Sequence, residues 1–148
     1  MFKSLKRLFD EAGHDAAMPG FERRHLQLAV ATLLHESTRV DLESQAAEYA
    51  TAEHALADLF GLDAAACTAL LGESRDKGGL TSYFAQVAVI KRDFSMEQRV
   101  ALIEHLWRIA YAHGRLDPYE DHFVRKIAHL LYVPNTQTML ARSRAQQP

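Results

Sequence analysis

Apolar residues recur at three- and four-residue intervals along most of the chain, the period of amphipathic helices, and no stretch alternates long enough to mark a strand. The clearest pattern runs from Ser95 to Val133. Met96, Val100, Ile103, Trp107 and Ala110 form one stripe, with Trp107 expected to anchor the core between two helical hairpins. Ser95 and Gln98 have the spacing of a capping box, and Gly114 suits a left-handed helix stop. Asp117-Pro118 then opens a second helix, because an acidic cap precedes the residue that best fits a first helical position. Phe123, Val124, Ile127, Ala128 and Leu131 supply its apolar face.

Elsewhere the same reasoning predicts a helix from Phe21 to about Arg39. Leu26, Ala29, Val30, Leu33, Leu34 and Ser37 form its buried stripe, and Arg23, Arg24 and Gln27 face water. Gln45 to Phe60 follows, ended by Gly61. Asp63 caps a helix through Leu71, and Gly72 to Gly79 reads as a loop. Tyr83 to Lys91 is helical again, and Pro134-Asn135 introduces a last helix over Thr136 to Arg144. Ahead of all these, Met1 to Phe9 sets Phe2, Leu5, Leu8 and Phe9 against Lys3, Lys6 and Arg7. That is a basic amphipathic segment suited to docking on the protein itself or on a membrane surface at the inner face. The expectation is an all-α, single-domain bundle of about seven or eight helices. Residues 1–20 form an N-terminal helix and linker, and 21–145 the domain.

Composition narrows the function classes. The chain has 148 residues, enough for one core. Its 17 basic and 19 acidic side chains give a formal charge of -2 and argue against a nucleic-acid partner. Cys67 is the single cysteine, which excludes an internal disulfide and a multi-cysteine zinc site and suits the reducing cytoplasm. No apolar run reaches the roughly 18 residues of a spanning helix.

The chain also resembles itself. At an offset of 72 residues Ala29 falls on Ala101, Leu34 on Leu106, Glu48 on Glu120, Leu59 on Leu131 and Phe60 on Tyr132. Both copies read as helix, acidic turn, helix, which predicts a pseudo-two-fold pair of hairpins. The second, LIEHLWRIAYAHGRLDPYEDHFVRKIAHLLYV, resembles the TerB-like family of tellurite-resistance proteins and their bacterial relatives. The family pattern is an apolar helix, an A-D-G-E-(apolar)-D-x-x-E turn, and a helix ending L-L-G-(apolar). Ala112, Gly114, Leu116, Asp117 and Glu120 match it, while His113 and Arg115 replace an Asp and a Glu. In the first copy Asp41, Glu43 and Glu48 match, and Leu42 stands where glycine is usual. The resemblance implies a compact all-α stress-response or tellurite-resistance module whose clustered carboxylates hold a divalent metal.

The resulting metal candidates are Asp41, Glu43, Glu48, His113, Asp117 and Glu120, with Glu36 nearby. Hard cations need several oxygen ligands, and His113 would bring in zinc or nickel. Capping and helix-end electrostatics account for Asp117, Glu120 and Glu48 ahead of metal ligation. Arg39 and Arg115 are then the basic partners of the acidic turns. No catalytic residue or cofactor-binding motif emerges. His35-Glu36 lacks the second histidine of a zinc-protease motif, there is no G-x-S-x-G elbow, and Cys67 lies in an alanine-rich, half-buried helix. Trp107, Tyr111, Phe123 and Tyr132 read as core. The expected function is a non-enzymatic interaction scaffold with a protein partner and a divalent metal at the acidic turns. The alternative is a metal-dependent hydrolase built on the same carboxylates.

Overall fold

The computed structural model describes residues 20–38, 45–76, 83–112, 114 and 116–147. These residues form seven helices and no strand. They are α1 (Gly20–Ser37), α2 (Gln45–Phe60), α3 (Ala64–Asp76), α4 (Phe84–Asp93), α5 (Met96–Ala110), α6 (Pro118–Leu130) and α7 (Asn135–Ala145). The all-α bundle expected from the periodicity is what forms. Residues 1–19, 39–44, 77–82 and 148 lie outside the described residues, as do His113 and Arg115.

Local signals set most helix ends. Ser95 Oγ accepts the Gln98 N–H at 3.2 Å, and the Gln98 side chain takes the Ser95 N–H at 2.7 Å. This reciprocal cap satisfies two amides that a helix start leaves open. Asp63 Oδ1 accepts from the Ala66 N–H at 2.8 Å and opens α3. The chain bends by 115° between α2 and α3, at Gly61, which adopts φ +68°. Gly114 follows α5 at φ +97°, as its position predicts.

The pattern misplaces three features. The loop expected from Gly72 is helical as far as Asp76. Ser74 is buried there with its hydroxyl on the Leu71 carbonyl, and Arg24 of α1 pairs with Glu73, so tertiary contacts outweigh the roughly 1 kcal/mol helix penalty of a glycine. Gln27 is buried rather than facing water, because α1 packs against α2, α3, α4 and α5 at once. Tyr132, read as core, is 68% exposed. It stands where the family pattern has glycine and takes the left-handed conformation itself, at φ +60°. Lys91 Nζ sits 4.2 Å from its ring centroid.

Four of the five aligned pairs agree in burial, Glu48 with Glu120 among them, and Phe60 with Tyr132 does not. Ala29 and Ala101, Leu34 and Leu106, and Leu59 and Leu131 are all buried pairs. The two left-handed helix stops, Gly61 and Tyr132, stand 71 residues apart, so the gap-free offset of 72 slips by one at the end of the copies.

The core is organised by α5, which touches α1, α2, α6 and α7. Every residue from Ala101 to Trp107 is buried. Trp107 is a fully buried core anchor, and its polar contacts come from α7. Its indole N–H donates to the Thr138 carbonyl at 3.1 Å, and the Arg142 guanidinium lies 5.5 Å over the ring. At the other end of α5, Arg99 donates to the carbonyls of Lys91, Phe94 and Leu131 at 3.1–3.2 Å. One cation thereby closes the C-terminal ends of α4 and α6, where helix dipoles favour positive charge.

The left-handed positions give the first testable outcome. An exposed cation–π contact is worth about 0.5–1 kcal/mol, close to the cost of a non-glycine residue at positive φ. In urea denaturation, Tyr132→Gly is therefore expected near wild-type stability, with Tyr132→Ala lower by about 1 kcal/mol. Tyr132→Ala matching or exceeding Tyr132→Gly would contradict the strain.

Candidate functional site

Each hairpin presents a carboxylate in the first turn of its second helix. Glu48 of α2 is 0% exposed and Glu120 of α6 is 1% exposed. Glutamate is almost never fully buried without a matched partner, so these two positions are chemically distinct from the solvated acids around them.

The second turn shows how its carboxylates are held. Asp117 is the cap of α6, and its Oδ1 accepts the Tyr119 N–H at 2.7 Å. The Asp117 N–H in turn donates to Glu120 Oε1 at 3.3 Å. Pro118 fixes the backbone between them at the first helical position. The cap therefore fixes Glu120 through one carboxylate oxygen and leaves Oε2 on the buried side. On the first hairpin, His35 is buried at the end of α1 and meets the Tyr49 ring edge-on, centroids 5.8 Å apart. Thr38 closes that helix by donating to the His35 carbonyl at 2.6 Å. Glu36 is half-buried on the same turn of α1.

Of the six residues expected to form a metal site, Glu48, Asp117 and Glu120 are described. Asp41, Glu43 and His113 lie outside the described residues, as do Arg39 and Arg115. Among the described residues no group of three or more His, Cys, Asp or Glu side chains is arranged to hold a metal ion. The described donors are all carboxylates, the oxygen chemistry that suits calcium, magnesium or manganese. A complete site would have to draw further ligands from Asp41, Glu43 or His113.

A second set of buried polar groups escaped the sequence reading. His105 of α5 is 1% exposed and bonds Asp58 of α2 through Nε2 at 2.8 Å. Glu104, one residue earlier, is 3% exposed and pairs with Arg108 at 3.0 Å and with Arg144 of α7. Arg142, two residues before Arg144, donates to the Tyr111 hydroxyl at 2.8 Å. A signal was present in the chain: apolar residues at 101–103, 106, 107, 109 and 110 cover about two thirds of the circumference of α5, with His105 inside that arc and Glu104 beyond its edge. A polar side chain inside that arc is buried and needs a counterpart from a neighbouring helix.

The exposed histidines offer no cluster, since His122 and His129 both face solvent on α6. Cys67 is 1% exposed, deeper than the half-burial expected. Burial pushes its thiol above the ordinary range, and Glu53 and Asp63 raise it further. Among the described residues no single helix is long and apolar enough to cross a membrane.

Paired hairpins around a largely buried central helix, each opening its second helix with a buried glutamate, define an all-α module. The family model for tellurite resistance protein TerB matches residues 27–143. The chain belongs to the TerB family. No curated protein and no solved structure gives a match.

The Cys67 environment predicts an inert thiol. Thiolate is the reactive form, and here both burial and nearby carboxylates disfavour it. At pH 8 a disulfide reagent is expected to modify the folded protein at least about tenfold more slowly than the urea-unfolded chain. Equal rates would show that the thiol is accessible and ionised.

Proposed function

We propose that this protein is a non-enzymatic interaction scaffold of tellurite-resistance or stress-response type, working in the cytoplasm and holding a divalent cation at its acidic turns. The observation that carries this reading is the burial of Glu48 and Glu120 at equivalent places in the two hairpins. Hard cations take several carboxylate oxygens at once, and buried carboxylates hold theirs in fixed positions. Two such groups on the second helices of paired hairpins suit a hard cation whose remaining ligands come from Asp41, Glu43, His113 and Asp117. The folded module spans residues 21–145, and a bound ion would fix the relative positions of its two turns.

A scaffold and a hydrolase make different demands on the surface. Three grooves among the described residues are lined by α1 and α4, by α6 and α7, and by α5 with the start of α7. None includes Glu48, Asp117 or Glu120. A metal hydrolase needs an open coordination position facing a substrate cleft.

Calorimetric titration of metal-stripped protein with calcium, magnesium, manganese and zinc tests the proposal. Binding is expected for at least one of the oxygen-preferring ions, with thermal stabilisation equivalent to about 2.7 kcal/mol at a hundredfold excess over Kd. Glu48→Gln/Glu120→Gln should abolish both signals. Neither heat nor stabilisation in the wild type would leave capping and pairing with Arg39 or Arg115 as the whole role of these acids.

A further inference from the structure

A groove of about 170 Å³ runs between α1 and α4, lined by Leu28, Ala29 and Thr32 on one side and Ala85, Gln86 and Val89 on the other. An apolar cavity of roughly 150 Å³ accommodates a benzene ring, so this groove has room for one aromatic side chain. Its wall also carries an unmet requirement. Gln86 Oε1 is buried and has no hydrogen-bond donor among the described residues, and a buried amide oxygen left without a donor is costly.

We infer that the groove is the docking site of the chain's own N-terminal segment. Phe2, Leu5 and Phe9 fall at helical i, i+3 and i+7 positions, and Lys3, Lys6 and Arg7 occupy the rest of the surface. Such a segment presents one phenylalanine ring to the groove with Leu5 beside it, and turns Lys3 and Arg7 to water. Lys6, at the edge of the apolar face, supplies a donor for Gln86. A helix of nine residues is marginal by itself, so the segment takes its order from the surface that receives it.

Tether length favours this occupant over an external one. Residues 10–19 reach roughly 33 Å when extended, whereas Gly20 and Ala29 lie only about 14 Å apart along α1. The linker contains Gly13, Pro19 and Gly20, which allow the chain to turn back on itself. A tether this short holds the segment at an effective concentration on the order of millimolar. Weak intrinsic affinity is then sufficient for docking, and a free competitor must bind far more tightly to displace it.

Paramagnetic relaxation in the full chain tests the contact. A nitroxide is attached at Ser4→Cys, and Cys67, being buried, is spared. The label is expected to broaden the amide signals of Leu28, Ala29, Ala85 and Val89. Ala85 is exposed on α4, so Ala85→Arg fills the groove and repels the basic segment with little change in helix propensity. In that variant the broadening should be lost while the circular dichroism melt is unchanged. Broadening confined to the residues after Gly20 would overturn the inference. So would broadening that appears only as protein concentration rises, the mark of a second copy. An unbroadened groove in a chain that floats with anionic vesicles would overturn it too, by assigning the segment to a membrane.

Discussion

A helix segment buried on every side cannot carry polar side chains unless its neighbours answer them, and α5 carries a carboxylate and an imidazole. Glu104 and His105 sit in the middle of the bundle, where an unmatched charge would cost several kcal/mol. Each is answered by a different helix. Asp58 brings α2 to His105, and Arg144 brings α7 to Glu104. Apolar packing alone is tolerant of small rotations and slips, whereas these pairs have one geometry that satisfies them. The pairs thus fix how the first hairpin and the last helix sit on α5. Arg99 performs a related task at the opposite end, drawing three backbone carbonyls from the ends of α4 and α6 to one guanidinium.

The division between what the sequence discloses and what it conceals follows the range of the interactions. Caps are local, and Ser95 with Gln98, Asp63, and Asp117 with Glu120 form as their spacing indicates. Gly114 adopts its positive φ for the same local reason. Long-range matches were invisible. Nothing near Gly72 announces that Arg24, 49 positions from Glu73, helps carry α3 onward. Nothing near Tyr132 announces a lysine on α4 that holds its ring at the surface. Asp58 and His105 are 47 positions apart and belong to different hairpins.

The acidic turns were legible as chemistry and not as environment. A glutamate in a first turn ordinarily reads as a solvated charge completing the helix dipole. The burial of Glu48 and Glu120 depends on how the hairpins close over them, which is a property of the bundle. That dependence links fold to function in this TerB family member. The helix starts that would meet a cation are parts of α2 and α6, and both helices are positioned by α5, so a stable bundle is the precondition for any shared site.

The central claim is that the Asp58–His105 contact couples the first hairpin to the buried helix of the second. A double-mutant cycle measures it most directly, with Asp58→Ala, His105→Ala and the combined variant compared by urea denaturation. The account predicts a coupling free energy of about 1–3 kcal/mol, the range for residues in direct contact. Additive losses, agreeing within about 0.5 kcal/mol, would contradict it and leave apolar packing as what orients the two hairpins.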